Sequence, residues 1–186
     1  MIQIVNIILI GGRSNSGKGS VATLLNKSLS QISNNNIIQC SLSTYIRQIT
    51  KDDFYWDGVD TPDIRYFMAE VYRLASELIY PYHMAGRVWE RDIIPHTEDN
   101  KNNIAIVESF REKINYDYFK ILQNEYKIYN IVTLNVVRPE YDVVGNILKD
   151  HQSEADLKDF NFDYVIYNDG SVEDLEEKVN GLIRCD

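Results

Sequence analysis

The sequence is poor in cysteine, histidine and basic residues, and each shortage argues against certain classes of protein or site. Its two cysteines, Cys40 and Cys185, lie far apart without metal-ligand spacing, which indicates a reduced, cytoplasmic setting. The three histidines are not spaced as a metal site or a nucleophile pair would require. Lysine and arginine number 19 against 28 acidic residues, and the net charge of −9 argues against a nucleic-acid polymer as partner. A nucleotide stays compatible, because it needs only a local cluster of positive charge.

Long apolar runs are also missing. No stretch is long enough to span a bilayer, so a membrane partner is not expected. Residues 1–10 are apolar, but they lack the basic start and the cleavage site of a signal peptide. No internal repeat or long linker interrupts the 186 residues, of which 44% are hydrophobic. The sequence therefore predicts one domain, residues 1–186, with a sizeable core.

A glycine-rich segment, residues 12–20, is the most informative stretch. Its sequence is Gly-Arg-Ser-Asn-Ser-Gly-Lys-Gly-Ser, and the β-branched apolar run before it, residues 4–10, predicts a buried strand. Apolar residues at helical spacing follow, from Val21 to Ile32. A strand, a G-x-x-x-x-G-K segment and a helix together form the context of a phosphate-binding loop. The alternative is a tight connection without a ligand, which the lysine at the expected offset argues against.

The chemistry of such a loop follows from its residues. Glycines let backbone N–H groups turn toward one point, and the following helix adds partial positive charge. Lys18 supplies a full charge for the outer phosphates of a nucleoside triphosphate, and we predict ATP as that nucleotide. The predicted ATP-binding residues are Gly12, Ser14, Asn15, Ser16, Gly17, Lys18, Gly19 and Ser20.

One position departs from most loops of this kind. Gly19 stands where a serine or threonine usually binds Mg²⁺, and Ser20 follows it. This G-K-G-S form resembles adenylate kinase and the related nucleoside monophosphate kinases. The resemblance implies that Mg²⁺ is held largely through water, and that the hydroxyl of Ser20 lies near phosphate and metal.

Strand-like runs alternate with helical patterns along the chain. Strands of buried type are predicted at residues 4–10, 37–40, 104–107, 131–137 and 163–167. This alternation predicts an α/β protein, a three-layer α/β/α arrangement with a five-stranded parallel sheet. Ligands of such sheets bind at the carboxyl ends of the strands, so functional residues are expected after strands one to four.

Helical patterns fill the intervals between the strands. Helices are predicted at residues 21–32, 41–51, 62–80, 82–94, 112–127 and from 172 onward, with a polar helical stretch at 150–154. Ser41 or Ser43 is the candidate N-cap of the second helix. Thr61 and Pro62 form a clear start for the third, with threonine as N-cap and proline at the first position.

Four arginines and one acid are candidates for the site. Arginine pairs with phosphate through two parallel hydrogen bonds, so it marks the acceptor side of phosphoryl transfer. Arg47 and Arg65 lie on the second and third predicted helices, whereas Arg111 and Arg138 follow the third and fourth strands. Glu108 ends the third strand, where an acid could orient Mg²⁺ or its water. Each of these residues could instead be a solvated surface charge or a local cap.

Further segments resemble one family more closely. Residues 54–60, Phe-Tyr-Trp-Asp-Gly-Val-Asp, with Arg65 are similar to the W-[DN]-G loop and following arginine of phage-type deoxynucleoside monophosphate kinases. Residues 108–111, Glu-Ser-Phe-Arg, are similar to their strand-end acid and arginine, and residues 138–170 resemble their C-terminal pattern. The resemblance implies phosphoryl transfer from ATP to a deoxynucleoside monophosphate, with Arg47 and Arg65 on the acceptor phosphate.

These assignments combine into one mechanism, in-line transfer of the γ-phosphoryl group to a (deoxy)nucleoside monophosphate. Lys18 and Mg²⁺ bind the β- and γ-phosphates, Arg138 stabilises the transferring group, and Arg111 and Arg65 hold the acceptor. An ionised acceptor phosphate needs no general base, so positioning and charge neutralisation suffice. We expect an acceptor-binding helical insertion at about residues 42–95 and a short lid at about 138–160.

The sequence is compatible with more than one acceptor, and also with a protein that binds nucleotide without turnover. An ending like His-x-Ser-Glu also occurs in relatives of phosphomevalonate kinase, so another small phosphorylated metabolite is an alternative acceptor. Glu70 and Val71 stand where the resembling kinases often carry Gly-Thr near the base, which permits a nucleotide-binding protein without turnover. The sequence is also compatible with a homodimer.

Overall fold

Five parallel strands form the middle layer of the molecule. The computed structural model describes residues 4–125, 127–139 and 157–183. The strands are β1 (Val5–Gly11), β2 (Asn35–Ser41), β3 (Asn102–Phe110), β4 (Ile128–Val137) and β5 (Tyr164–Tyr167), in the order β2-β3-β1-β4-β5. Every neighbouring pair is parallel. The predicted parallel sheet is therefore confirmed, with strand ends displaced by a few residues.

Helices cover both faces of the sheet. They are α1 (Lys18–Leu29), α2 (Thr44–Asp53), α3 (Pro62–Leu78), α4 (His83–Arg87), α5 (Lys113–Asn124) and α6 (Val172–Ile183). A π-helical segment (Val88–Ile93) and a 3₁₀ turn (Ile94–His96) continue α4. Within the ranges that the structure describes, no helix combines the length and the apolar character needed to cross a bilayer.

Strand β1 supplies both cores, because its side chains alternate between the two faces of the sheet. Val5, Ile7 and Leu9 are fully buried on the face covered by α4, the π-helical segment and α5. Ile10 is buried on the other face, among the apolar residues of α1 and α6. This two-sided burial produces the three-layer arrangement that the sequence predicted.

The chain between β2 and β3 forms α2, α3 and α4, which share a small core of their own. Ile46, Met68 and Met84, one from each helix, are buried together there. The hydroxyl of Thr61 accepts a hydrogen bond from the backbone N–H of Ile64 over 3.3 Å, so the predicted N-cap of α3 is confirmed. These helices occupy the predicted insertion, whose acceptor-binding role stays a prediction.

Two helix predictions were wrong in detail. The helix predicted from residue 41 begins at Thr44, because Ser41 continues β2 and pairs with Glu108 of β3. The helix predicted at residues 82–94 is α-helical only in its first part. The wider π-helical turn brings Val88 and Ile93 to one buried side, which an α-helix would not do.

The predicted lid falls mostly outside the described residues, and so does the helical stretch predicted at 150–154. Residues 157–162, at the end of the predicted lid, pack on the body of the protein. The ring of Phe160 lies 5.3 Å from that of Phe110, 5.2 Å from Tyr116 and 4.9 Å from Phe162. These contacts fix the chain immediately before β5.

Asp163→Ala tests how strongly this segment is attached to β4. Oδ2 of Asp163 accepts hydrogen bonds from the backbone N and the Oγ1 of Thr133, each 2.7 Å long. Thr133 is buried, so the substitution leaves two buried donors unpaired, and we expect the free energy of unfolding to fall by about 2 kcal/mol. Urea denaturation measures the loss, with the exposed Asp159→Ala as the control. An equal effect of both substitutions would contradict this account.

Candidate functional site

The predicted phosphate loop connects β1 to α1 at the carboxyl edge of the sheet. Gly12 and Gly17 have φ angles of +131° and +99°, a region that L side chains rarely adopt. A Cβ atom at Gly12 would overlap the carbonyl oxygen of Val136, and one at Gly17 would overlap the side-chain amide of Asn168. Both the backbone conformation and the available space therefore require glycine at these two positions.

Asn168, which directly follows β5, is hydrogen-bonded to the phosphate loop. Its Nδ2 donates a hydrogen bond to the carbonyl oxygen of Ser16 over 2.9 Å. Its backbone N–H donates to the carbonyl oxygen of Val137, at the end of β4, over 2.7 Å. Sequence reasoning included Asn168 only within residues 138–170, as part of a C-terminal pattern, and gave it no contact with the loop. The contact joins residues 152 positions apart, so no local pattern could predict it.

Lys18 begins α1, and its ammonium group turns back over the loop. Nζ donates to the carbonyl oxygens of Gly12 and Arg13, over 2.8 and 2.6 Å. The residue is only 9% exposed, yet it lines the cleft described next. These two acceptors are neutral, so the hydrogen bonds orient the lysine without cancelling its charge.

A cleft of about 400 Å³ opens beside the loop and is formed by three parts of the chain. The loop and α1 contribute Ser14, Asn15, Gly17, Lys18, Gly19 and Ser20. The α2–α3 region contributes Leu42, Ser43, Ile46, Arg47, Asp60, Arg65, Met68, Ala69 and Tyr72. The end of β3 and the start of α5 contribute Glu108, Ser109, Arg111, Glu112 and Asn115. Of the predicted ATP-binding residues, Gly12 and Ser16 do not line the cleft but support the loop that does.

An extra residue near the end of β3 determines which side of the sheet its last side chains face. Relative to β1, β3 contains one residue more after Val107, and Ser109 takes a φ angle of +64° there. This β-bulge returns Phe110 to the same face as Val107, inside the core. Glu108 and Arg111, on either side, line the cleft.

Glu108 lies beside the first turn of α1, where the sequence predicted an acid for Mg²⁺. Its Oε1 accepts a hydrogen bond from Nε2 of Gln39 over 2.9 Å, and a Cβ atom at Gly19 would lie 3.4 Å from its Oε2. Across the described residues, no three His, Cys, Asp or Glu side chains form a metal cluster by themselves. Glu108 and Ser20 fit Mg²⁺ nevertheless, because this ion is commonly held by one or two carboxylates together with phosphate and water.

Two of the predicted arginines face each other across an acid that sequence reasoning missed. Nη1 and Nη2 of Arg47 each donate to the carboxylate of Asp60 over 3.1 Å. Nη2 of Arg65 lies 3.6 Å from the same carboxylate, and its Nη1 donates to Oγ of Ser14 in the phosphate loop over 3.5 Å. The α2–α3 side of the cleft is thus connected to the phosphate loop.

The other two arginines differ in position. Arg111 is half-buried and lines the cleft. Arg138 is exposed at the end of β4 and is not among the described residues that line it. Residues 140–156, which follow, lie outside the described residues. The role of Arg138 on the transferring group therefore stays a prediction.

Beside the charged cluster, the α2–α3 side of the cleft has an apolar part, and one polar pair connects it to α5. Ile46 and Met68 are buried there, and Nδ2 of Asn115 donates to the phenol oxygen of Tyr72 over 2.9 Å. Burial raises the pKa of Tyr72, so its phenol stays neutral at physiological pH. An apolar surface with a few oriented polar groups is typical of sites for small organic ligands.

The two residues that depart from the resembling kinases do not line this cleft. Glu70 accepts a hydrogen bond from Nη2 of Arg73 over 2.9 Å, and Val71 is half-buried. Their neighbours Ala69 and Tyr72 face the cleft instead. The departure therefore does not by itself remove the site.

No protein-family model matches the chain, and no curated protein matches it. Solved structures do. Thymidylate kinase from Ehrlichia chaffeensis aligns with a TM-score of 0.56 at 17% identity, over 97% of this chain and 99% of that one. The chain has the fold of the P-loop kinases.

Two further structures show weaker likeness. APS kinase from Mycobacterium tuberculosis, in complex with AMPPNP and APS, gives a TM-score of 0.46 at 15% identity, over 98% of this chain and 99% of that one. Shikimate kinase from Aquifex aeolicus gives 0.44 at 13% identity, over 96% of both chains.

Gly17→Ala tests the requirement for glycine in the phosphate loop. A positive φ costs alanine about 1–2 kcal/mol, and overlap with Asn168 adds to this, so we expect the free energy of unfolding to fall by about 2–3 kcal/mol. The matched control is Gly181→Ala in α6, where an added Cβ meets nothing within 4 Å and should be neutral or stabilising. Adding Asn168→Ala to Gly17→Ala should recover part of the loss, measured by thermal denaturation. Unchanged stability of Gly17→Ala would contradict the loop conformation.

Proposed function

We propose that the protein is an ATP-dependent kinase that transfers the γ-phosphoryl group to a (deoxy)nucleoside monophosphate and releases the diphosphate. The observation that carries this proposal is one cleft lined by Lys18 of the phosphate loop and by Arg47, Arg65 and Arg111. Separate positive groups can therefore hold a donor phosphate and an acceptor phosphate side by side. The fold shared with thymidylate kinase supports phosphoryl transfer as the reaction class.

The donor ATP binds at the phosphate loop in this proposal. Backbone N–H groups at the start of α1 and the ammonium group of Lys18 attract its phosphates. Lys18 exchanges its hydrogen bonds with the loop carbonyls for the β- and γ-phosphate oxygens. When bound, Mg²⁺ neutralises phosphate charge, and Glu108 and Ser20 are the residues that would hold it, largely through water.

The acceptor phosphate binds between the arginines of the cleft. Arg65 and Arg111 hold it, with Arg47 beside them, through charge-assisted hydrogen bonds. The acceptor oxygen is ionised at neutral pH, so no residue needs to remove a proton from it. Arg138 remains the candidate for the transferring group, because it follows β4 at the same edge of the sheet.

The apolar part of the cleft supports a nucleotide rather than a smaller acceptor. Ile46, Met68 and Tyr72 provide a surface against which a planar base can pack, and Asn115 offers a fixed amide near it. We further infer a cytoplasmic enzyme with small-molecule nucleotide partners. The homodimer considered from the sequence stays a prediction.

An acceptor panel with Mg²⁺-ATP tests the proposed function. Nucleoside and deoxynucleoside monophosphates are compared with phosphomevalonate, and ADP formation is measured. We expect ADP only with nucleoside monophosphates. ADP formation with phosphomevalonate alone would assign the protein to another small phosphorylated metabolite. Tight ATP binding with no ADP from any acceptor would identify a nucleotide-binding protein without turnover.

Lys18→Ala tests the donor side. Loss of the charge on the outer phosphates should reduce turnover at least about 10³-fold, while circular dichroism shows an intact fold. Lys27→Ala is the matched control on the same helix, because Lys27 pairs with Glu176 over 2.7 Å and lies outside the cleft. Normal turnover of Lys18→Ala would exclude the mechanism.

Arg65→Gln tests the acceptor side. Removing the guanidinium should raise KM for the acceptor about tenfold or more and leave KM for ATP almost unchanged. The control is Arg73→Gln on the same helix, because Arg73 pairs with Glu70 and Glu77 and does not line the cleft. If KM for ATP rises instead, Arg65 belongs to the donor side.

A further inference from the structure

Asp60 occupies the point at which two arginines of the cleft converge. Its carboxylate accepts two hydrogen bonds from Arg47, each 3.1 Å long, and lies 3.6 Å from Nη2 of Arg65. All three side chains belong to residues that line the cleft. Guanidinium groups bind carboxylate and phosphate with the same planar fork. The carboxylate therefore takes the place that an anionic ligand would take between these arginines.

Asp60 lies in the loop between α2 and α3, just before α3 begins at Pro62. Gly58 has a φ angle of +92°, and a Cβ atom there would meet nothing within 4 Å. Trp56, Asp57 and Val59 form a compact turn, in which Val59 donates to Oδ1 of Asp57 and accepts from Nε1 of Trp56. The side chains of Asp60 and Arg47 are 31% and 43% exposed, so solvent is within reach of the carboxylate.

We propose that Asp60 is an internal competitor for the anionic group of the acceptor. Without a substrate it binds the arginine pair, and a bound phosphate monoester displaces it toward solvent. This inference rests on the proposed function, because that function makes the arginine pair the acceptor site. Binding of the acceptor and release of the Asp60 loop are then a single event.

The need to displace Asp60 lowers the affinity of the site for every anionic ligand. Moving Asp60 away costs the same free energy whichever anion replaces it. A phosphate monoester above its second pKa of about 6 offers the arginines close to two negative charges, whereas a carboxylate or a sulfate monoester offers one. The dianion therefore retains useful affinity where singly charged anions lose it. The acceptor class that this site favours is a phosphate monoester dianion.

Methyl phosphate and methyl sulfate are the probes, because they share a shape and differ in charge. They are titrated at equal ionic strength and about pH 8, above the second phosphate pKa of about 6. Trp56 reports binding by fluorescence, since the guanidinium of Arg47 lies 5.6 Å from its ring, whereas Trp89 is buried in the core. Arg65→Gln leaves Arg47 beside Trp56 and should weaken the binding of both probes.

Asp60→Asn should bind both probes about fivefold more tightly than the native protein, by the same factor, because a partly exposed ion pair has been removed. Asp57→Asn is the matched control in the same loop and should leave both affinities unchanged. Should Asp60→Asn fail to fold, as judged by circular dichroism, Asp60→Ser replaces it with the same expectation.

Several results would overturn the proposal. Unchanged or weaker binding by Asp60→Asn would show that Asp60 does not compete with the anion. A much larger gain for methyl phosphate than for methyl sulfate would show that Asp60 stays in place and repels the ligand. No response to either probe would show that the arginine pair binds no such anion. The titrations need no turnover, so they can fail in an active kinase and succeed in a protein without kinase activity.

Discussion

The conformation of the loop between β1 and α1 is fixed by residues of distant strands that pack closely against it. Its two left-handed glycines lie against Val136 of β4 and against Asn168 after β5. Glycine adopts this region without strain, whereas a Cβ atom at either position would overlap these neighbours, so the packing requires glycine. The hydrogen bond from Asn168 to Ser16 spans 152 residues of sequence. The phosphate loop is a short segment of the sequence, but its conformation depends on contacts with β4 and with the chain after β5.

The cleft brings together four basic side chains and three acidic ones in a protein whose net charge is −9. Parallel strands explain this contrast, because their carboxyl ends lie along one edge and bring Lys18 and Arg111 to the same cleft. Arg47 and Arg65 are added from helices outside the sheet. An overall negative charge disfavours long polyanions, whereas a small anion meets only the local field. This distribution of charge agrees with the nucleotide acceptor proposed above.

Local patterns predicted most of the fold and the phosphate loop. Buried strands are continuous apolar runs, and the start of α3 follows from Thr61 and the proline after it, so both could be located from neighbouring residues. The features that were missed depend on contacts between distant residues. The position of Asp60 between two arginines requires the folded α2–α3 pair, and the π-helical turn at Val88–Ile93 results from packing on the sheet. Sequence periodicity carries no signal for either.

The bulge in β3 makes this strand end sensitive to length. Side chains of a strand alternate with a period of two, so the loss of one residue here would move Phe110 out of the core and turn Arg111 away from the cleft. An insertion would have the same effect, whereas a substitution at Ser109 leaves the alternation unchanged. Evolution can therefore vary the chemistry of this strand end more readily than its residue count, and gaps should be rare there among related chains.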